Sequence, residues 1–274
     1  MKLNGETRLI GLFGHPVGHS KSPEIFNNLM DEYGLNYIYM AFDAKKGDAT
    51  KVADMIKFCR MPGANITMPL KTEMISEIDE LSEDAEIINA VNTVVNREGI
   101  LYGYNTDVNG IEFAINSLGE RISGNSFCVL GGGGAARATI CALAKNGAYE
   151  IDVFIRSERA ELSSCIMNLN KKLATKIRLF NFSDTAAMVK KLNVATTLIN
   201  ATDVGMGKKS GISPVSRSVL EKSNFYKSSL LDLIYAEEET ELIKIARKMG
   251  CRRVENGLPV LKGQATKGFQ LITG

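Results

Sequence analysis

The sequence predicts an α/β fold with mostly parallel sheets. Segments with strand character alternate with segments of helical periodicity through both halves of the 274 residues. Near the middle, four consecutive glycines at 131–134 separate an apolar strand from an alanine-rich helix, and a second strand follows. A chain of this length has room for two ordinary domains, so we expect two α/β domains.

Helices and strands of the N-terminal half are assigned from the spacing of their apolar residues and from the turn residues between them. Ser22 or a neighbour caps the first predicted helix, because Pro23 suits its first position and Gly34 ends it. The predicted strands are 8–13, 36–42, 63–67, 90–96 and 100–104, the last two forming a hairpin, and the further helices are 51–59, 77–88 and 111–118.

The C-terminal half repeats the alternation with longer helices. The predicted strands are 127–130, 151–155, 175–182, 197–200, 228–234 and a short strand and turn within 253–259. The predicted helices are 135–144, 184–192, 238–249 and 261–272. No internal repeat or low-complexity tract interrupts the pattern. The join between the two halves is expected around 107–124, where loops rich in polar residues give way to the nucleotide-binding segment.

The composition excludes several classes of function. Hydrophobic residues make up 45% and charged residues 23% of the chain, which is typical of soluble globular proteins. The net charge of +2 is too small for a nucleic-acid or anionic-membrane surface, and no apolar segment approaches membrane-spanning length. We therefore expect neither nucleic acid nor a membrane as a partner.

Cysteine and histidine usage points to a cytoplasmic protein without a metal site. The five cysteines are scattered and form no C-x-x-C pair, which is typical of reduced thiols. His15 and His19 are the only histidines, and no cluster has ligand spacing. We assign both histidines to loop structure.

The glycine segment resembles a dinucleotide-binding turn in its spacing. Gly131 allows the turn, Gly133 lets the backbone approach phosphate, and Ala136 keeps the third position small enough for the helix to pack on the strand. A glycine-rich turn without a ligand is the alternative. The order strand, turn, helix, strand favours nucleotide binding, because the helix N-terminus then faces the ligand.

Polar residues in the first half lie where packing does not require them. Ser20 and Ser22 would point the same way from an extended loop, which suits a carboxylate or a polyol, although either could simply cap the helix. Asn65 and Thr67 share one face of a strand, and Lys71 follows among apolar neighbours that favour a half-buried position. Asp107 could pair with Lys71 across a cleft or act only as a helix cap.

Several motifs together resemble the shikimate dehydrogenase family in order and spacing, over nearly the whole chain. They are residues 14–23, 65–71, 89–93, 103–107, 131–137, 200–202 with 204–206, and Gly263 and Gln264 followed by Phe269. Residues 39–42 and 165–190 resemble its quinate/shikimate dehydrogenase branch more closely.

The resemblance implies an α/β substrate domain at 1–107 and 256–274 and a Rossmann-like NAD(P)-binding domain with a parallel sheet at 108–255. It implies the reversible reduction of 3-dehydroshikimate to shikimate in the pathway to chorismate and the aromatic amino acids, with Lys71 and Asp107 as the catalytic pair. The substrate-binding residues that it implies are Ser20, Ser22, Asn65, Thr67, Asn92, Tyr235 and Gln264.

The resemblance also implies the cofactor site and leaves its preference open. The implied cofactor-binding residues are Gly131, Gly132, Gly133, Gly134, Ala135, Arg156, Ser157, Glu158, Arg159, Thr202 and Met206. Arg156, Ser157 and Arg159 resemble a basic NADP clamp, so we expect NADP. Glu158 could instead admit NAD, since a carboxylate there binds a ribose hydroxyl and repels a 2′-phosphate. Asp203 departs from the small or hydroxyl residue usual in the family near the nicotinamide.

Three classes of function are weighed against one another. A shikimate or quinate/shikimate dehydrogenase would use Lys71 as a proton donor, because a nearby Asp107 carboxylate favours the protonated amine, although Asp107 could itself take the proton in the reverse direction. A non-catalytic sensor needs no such donor, and a folate-linked dehydrogenase would need a more apolar cleft. A monomer and a homodimer fit the sequence equally well.

Overall fold

The structure is a computed structural model that describes residues 3–236 and 238–274. The chain forms two compact units: the described residues through Thr106 together with Gln264–Gly274, and Asp107–Gly263. The second boundary lies later than the predicted one at 255 and 256. The reason is local, because Gly263 packs against Gly110 and Phe113 of the second unit.

The first unit is built on a six-stranded mixed sheet. Its elements are β1 (Arg8–Gly14), α1 (Ser22–Glu32), β2 (Tyr37–Asp43), α2 (Ala49–Phe58), β3 (Gly63–Ile66), β4 (Glu80–Leu81), α3 (Glu83–Ile88), β5 (Thr93–Arg97) and β6 (Ile100–Tyr104). The strand order is β2-β1-β3-β5-β6-β4, with β5 antiparallel to both of its neighbours and the other pairs parallel. The predicted hairpin is confirmed as β5 and β6.

The predicted helix at 77–88 is wrong over its first half. A 3-10 turn covers Glu73–Glu77, and β4 then pairs with β6. The Ser82 hydroxyl accepts a hydrogen bond from the Ala85 N–H at 3.3 Å and caps α3, which starts the helix only at Glu83. Three acidic residues of the predicted helix, Glu83, Asp84 and Glu86, lie in the first turn of the short one, where the helix dipole favours them.

The cap predicted at Ser22 or a neighbour falls on the neighbouring residues, because the Ser20 hydroxyl accepts from the Ser22 N–H at 3.2 Å. Lys21 occupies the N-cap position of α1 without a capping hydrogen bond, and Ser22 is already helical. The Ser22 side chain is buried, and its hydroxyl lies beside the phenol of Tyr39 on β2. Ser22 thus contributes to an interior polar contact, whereas a capping residue would serve only the helix end.

The second unit is a six-stranded, fully parallel sheet with helices along the chain between its strands. Its elements are α4 (Asp107–Ser117), β7 (Ser126–Leu130), α5 (Gly134–Lys145), β8 (Glu150–Ile155), α6 (Ala160–Lys172), β9 (Lys176–Asn181), α7 (Thr185–Leu192), β10 (Thr197–Asn200), α8 (Arg217–Glu221), β11 (Ser229–Asp232), α9 (Glu241–Lys248), β12 (Arg253–Glu255) and the start of α10 (Leu258–Thr273).

Its strand order is β12-β11-β10-β7-β8-β9. The chain thus proceeds from central β7 to one side and then returns to the other side at β10. In such sheets ligands bind at the carboxyl ends of the strands where the order reverses, which here is between β7 and β10. The predicted α/β fold is confirmed in both units.

Two helices of the second unit do not follow from the sequence pattern, and a third begins early. Helix α6 buries only Leu162, Cys165 and Leu169 among polar residues, so its apolar face is narrow. Helix α8 is a single short segment of five residues. Helix α4 begins at Asp107, four residues before its predicted start.

A charged cluster is buried beside the sheet of the second unit. The Lys191 ammonium of α7 donates to Glu150 Oε1 at 3.2 Å and lies 3.0 Å from Asp152 Oδ1, where the geometry is that of an ion pair and not of a hydrogen bond. Burial raises the pKa of Asp152, and Lys191 opposes this shift. Arg178 also pairs with Glu150 through a half-exposed side chain, so removing Lys191 would leave mainly the Asp152 carboxylate without its ion-pair partner in a poorly hydrated site.

We therefore predict that Lys191→Met lowers the free energy of unfolding by about 3–5 kcal/mol, as measured by urea denaturation. Lys190→Met is the matched control, because Lys190 is the neighbouring residue of α7 and its side chain is exposed. Equal midpoints for the two variants would contradict the prediction.

Candidate active site

The first glycine of the turn is required by the fold itself. Gly131 follows β7 with a φ of +114°, and its N–H donates to the Phe154 carbonyl at 2.9 Å. A Cβ at this position would lie 2.8 Å from the Ala201 carbonyl oxygen. Both the backbone conformation and the close approach of the loop after β10 therefore exclude a side chain.

The next glycines show where the turn is packed and where it is open. A Cβ on Gly132 would lie 3.2 Å from the side chains of Ile155 and Leu162, so it is tightly enclosed. By contrast, no atom lies within 4 Å of a Cβ built on Gly133 or Gly134. The protein leaves this space open in front of the helix.

Helix α5 begins at this open space. Gly133 is its N-cap residue, with no side chain to cap the first turn, and Gly134 and Ala135 are exposed. Ala136 is fully buried, which confirms the small third position predicted for packing of helix on strand. Free N–H groups and the positive helix end fit a pyrophosphate, so the turn is suited to hold a dinucleotide.

Exposed polar side chains follow β8 on one side of the turn. Arg156, Ser157, Glu158 and Arg159 are all exposed, and Arg159 is the N-cap residue of α6. The Arg159 Cδ lies 3.9 Å from the position of a Cβ on Gly132. The predicted clamp residues are therefore available to a ligand beside the turn.

The loop after β10 borders the turn on the other side and is held by a buried amide. Asn200 Oδ1 accepts hydrogen bonds from the Thr202 N–H at 3.1 Å and the Thr202 hydroxyl at 2.7 Å. Thr202 Oγ1 in turn accepts from the Val204 N–H at 3.2 Å. Thr202 therefore shapes the loop and also reaches the turn, with its methyl group 3.2 Å from a Cβ built on Gly131, while Met206 is exposed further along.

Asp232, which the sequence reasoning missed, anchors that amide. Its fully buried carboxylate accepts hydrogen bonds from Asn200 Nδ2 at 2.8 Å, the Thr240 hydroxyl at 2.6 Å and the Ile234 N–H at 3.2 Å. Burial raises the pKa of Asp232, and these three donors oppose the shift. An aspartate directly after an apolar strand was the only signal in the sequence.

Two of the predicted substrate residues in the first unit are joined through a tyrosine. The Tyr39 phenol, 2% exposed, donates to Asn65 Oδ1 at 2.9 Å, and the Ser22 hydroxyl lies beside it. Its ring stacks on Phe26 with centroids 4.3 Å apart. The Asn27 amide bonds both the N–H and the carbonyl of Tyr39, at 2.9 and 3.0 Å. Tyr39 is thus held on every side and orients Ser22 and Asn65.

The buried network continues from Asn65 to the residues of β5 and β6. Asn65 Nδ2 donates to the Thr93 hydroxyl at 3.1 Å, and Thr93 donates to Asn92 Oδ1 at 3.1 Å. Asn92 Oδ1 also accepts from the Thr106 N–H at 2.8 Å, and the Thr106 hydroxyl reaches Gln264 Oε1 at 3.5 Å. The structure therefore brings Ser22, Asn65, Asn92 and Gln264 into one polar network.

Other predicted residues of the first unit lie beside this network. The Ser20 hydroxyl accepts from the Ser22 N–H at 3.2 Å. Thr67 follows β3 and is half-buried, as is Lys71, whose carbonyl accepts from the Val91 N–H at 2.8 Å. The half-buried position predicted for Lys71 is confirmed.

Two of the predicted catalytic and substrate-binding residues belong to the second unit. Asp107 is the first residue of α4 and is half-buried, and Tyr235 follows β11 with 38% of its surface exposed. Because Lys71 and Asp107 lie in different units, their pairing stays a prediction. In the second unit, the turn, Arg156, Arg159 and Thr202 lie together at the carboxyl ends of the strands.

Neither histidine lies in the polar network described above. His15 Nδ1 lies 2.8 Å from Asp43 Oδ1 in a pair that is about half exposed. Among residues 3–236 and 238–274, no three histidine, cysteine or acidic side chains are grouped closely enough to hold a metal ion. Within the same residues, none of the helices is both long and apolar enough to cross a membrane.

The comparisons with known proteins agree on one family. Residues 12–94 match the model of the shikimate dehydrogenase substrate binding domain. The chain is 40% identical to a shikimate dehydrogenase (NADP(+)) of Caldanaerobacter subterraneus and 36% identical to one of Alkaliphilus metalliredigens, in each case over 100% of this chain and 94% of the relative. A crystal structure of the Listeria monocytogenes shikimate 5-dehydrogenase with shikimate and NAD superposes with a TM-score of 0.91 at 33% identity, covering 100% of this chain and 94% of that one.

The strand order of the parallel sheet and the glycine turn place the second unit in the dinucleotide-binding α/β class. The similarity extends over the full length of the chain, well beyond the dinucleotide-binding turn. The chain belongs to the shikimate dehydrogenase family, and the resemblance predicted from its motifs is confirmed.

The glycine turn yields a paired prediction. Gly133→Ala should change the free energy of unfolding by no more than about 1 kcal/mol, because its φ of −81° suits alanine, the space is open, and the lower entropy of the unfolded chain offsets the preference for glycine at an N-cap. It should nevertheless weaken dinucleotide binding by about tenfold or more, since the added methyl group occupies the phosphate position. Gly131→Ala should destabilise the fold by about 1–3 kcal/mol.

Urea denaturation and fluorescence titration with reduced dinucleotide measure the two effects separately. If Gly133→Ala bound the dinucleotide as tightly as the unaltered protein, the open space would not be the phosphate site.

Proposed function

We propose that the protein is a shikimate dehydrogenase that catalyses the reversible NADP-dependent reduction of 3-dehydroshikimate to shikimate, in the pathway to chorismate. The observation that carries this proposal is that the substrate motifs and the dinucleotide turn occur together, in order, in a chain similar over its whole length to shikimate dehydrogenases (NADP(+)). None of the relatives described above is named for quinate, the alternative substrate.

The cofactor would be held by the turn at residues 131–135 and by the loops on either side of it. The nicotinamide, when bound, supplies or accepts the hydride. Arg156, Ser157 and Arg159 are exposed and suited to a 2′-phosphate, which favours NADP. Glu158 lies among them and supports use of NAD as well, and the Listeria structure was obtained with that nucleotide.

The substrate is a small polyhydroxy acid, and the first unit offers the matching groups. We assign its carboxylate and ring hydroxyls to Ser20, Ser22, Asn65, Thr67, Asn92 and Gln264 of the first unit and Tyr235 of the second. The buried amides of Asn65 and Asn92 are oriented by neutral neighbours and carry both donors and acceptors, as recognition of hydroxyl groups requires.

Lys71 and Asp107 are the proposed catalytic pair. During reduction the carbonyl oxygen becomes an alkoxide, and the Lys71 ammonium donates a charged hydrogen bond or the proton to it. During oxidation the hydroxyl proton must leave, and either Lys71 or Asp107 accepts it. The variant Asp107→Asn would distinguish these two proton acceptors, because it removes the carboxylate and keeps the lysine.

The proposed partners are small molecules, with neither nucleic acid nor membrane. Cys128, Cys141 and Cys165 are buried free thiols, which supports the cytoplasm as the compartment. The oligomeric state, monomer or homodimer, is a separate measurement by sedimentation.

Lys71→Ala should lower kcat for shikimate oxidation by about 10²–10⁴-fold, because the alkoxide loses its proton partner. The rate is followed by the absorbance of the reduced nicotinamide. Lys46→Ala is the matched control, since Lys46 is an exposed lysine of the same unit. The assay is run with shikimate and quinate, each with NADP⁺ and NAD⁺, and no turnover in any of the four pairs would refute the proposal.

The tyrosine that orients Ser22 and Asn65 provides a second test. Tyr39→Phe removes the donor to Asn65 Oδ1 and should weaken shikimate binding by about five- to tenfold, while the affinity for NADPH stays unchanged. Tyr37→Phe serves as the control, because Tyr37 lies on the same strand and packs under Arg8. Equal loss of affinity for both ligands would instead indicate general unfolding.

A further inference from the structure

An ion pair that none of the sequence motifs includes lies at the edge of the proposed cofactor site. Lys209 Nζ lies 2.6 Å from Asp203 Oδ2, and both side chains are well exposed, at 39% and 60%. The backbone folds the loop back on itself, because the Gly205 N–H donates to the Lys209 carbonyl at 3.1 Å and the Lys209 N–H to the Met206 carbonyl at 3.0 Å. The pair is thus part of an ordered loop.

The fold places this loop beside the glycine turn. Strands β10 and β8 flank β7, so the residues that follow all three strands meet at one edge of the sheet. The Ala201 carbonyl blocks a Cβ on Gly131, and Arg159 approaches Gly132 from the other side. Asp203, two residues after Ala201, therefore stands at the same ligand space as the residues that follow β8.

The charges of the two loops interact across that space. The hydrogen bond from Lys209 holds the pKa of Asp203 below its usual range, and the Arg156 guanidinium contributes in the same direction. The family resemblance associates Asp203 with the nicotinamide, and the fold also brings its loop to the edge of the sheet where the residues after β8, Arg156 among them, lie. A carboxylate there opposes part of the positive charge that Arg156 offers to a ligand.

We propose that the Asp203–Lys209 pair determines how strongly this protein distinguishes a 2′-phosphate from a 2′-hydroxyl on its dinucleotide. The inference rests on the proposed function, since it requires a dinucleotide at the turn. Asp203 repels the 2′-phosphate and offsets Arg156, whereas Lys209 neutralises Asp203 and limits that repulsion. The balance of these two charges thus determines whether the protein uses NADP strictly or uses both nucleotides.

The two members of the pair then have opposite effects. Asp203→Asn removes the negative charge, keeps the shape of the side chain, and leaves Lys209 and Arg156 to attract phosphate. Lys209→Gln exposes the Asp203 carboxylate. The first change should strengthen binding of a 2′-phosphate by about three- to tenfold and the second should weaken it by about the same factor, as expected for exposed charges a few ångströms apart.

The test is isothermal titration of the full-length protein with adenosine 2′,5′-bisphosphate and with 5′-AMP, which differ only in the 2′-phosphate. We expect both variants to change the affinity ratio of the two probes in opposite directions, with 5′-AMP changing by less than about twofold. The effects should shrink at high salt, because exposed charges are screened. Glu221→Gln is the matched control, as it breaks an exposed pair with Arg217 on α8 of the same unit.

The outcomes separate the two proposals. If the unaltered protein bound neither probe, the dinucleotide function and this inference would fail together. If it bound both, but Asp203→Asn left the ratio unchanged or shifted it toward 5′-AMP, the inference alone would be overturned.

Discussion

The second unit depends on one buried carboxylate. Asp232 accepts hydrogen bonds from a strand, a backbone turn and the cap of a helix, and it holds the amide of Asn200. Removing such an acceptor would leave three donors unpaired in the interior, at a cost of about 1–3 kcal/mol each. Because Asn200 in turn shapes the loop that closes on Gly131, a contact remote from the ligand fixes the geometry of the ligand turn.

The first unit uses neutral side chains for the same purpose. Its network runs through phenol, amide and hydroxyl groups, and each acceptor named in it has a donor. Neutral groups can be buried at lower cost than charges, provided that they are hydrogen-bonded. A site for a polyhydroxy acid can therefore be oriented before the ligand arrives.

Local patterns predicted the fold well, and contacts between distant segments explain what they missed. The glycine turn and the alternating elements could be predicted because their signals lie within a few neighbouring residues. The role of Tyr39 could not, since it depends on Asn65 and Ser22, which are distant in sequence. The buried position of Ser22 could not be predicted for the same reason, and α6 was missed because three buried residues make a weak period.

The four glycines of the turn are retained for different reasons. Gly131 and Gly132 are enclosed by the protein, whereas the space beside Gly133 and Gly134 is empty of protein atoms. Natural selection for folding alone would therefore preserve the first glycine, and only selection for the ligand would preserve the third and fourth. A descendant that lost its nucleotide would be expected to accumulate side chains at 133 and 134 while keeping Gly131, so the turn can register the loss of a ligand in the sequence.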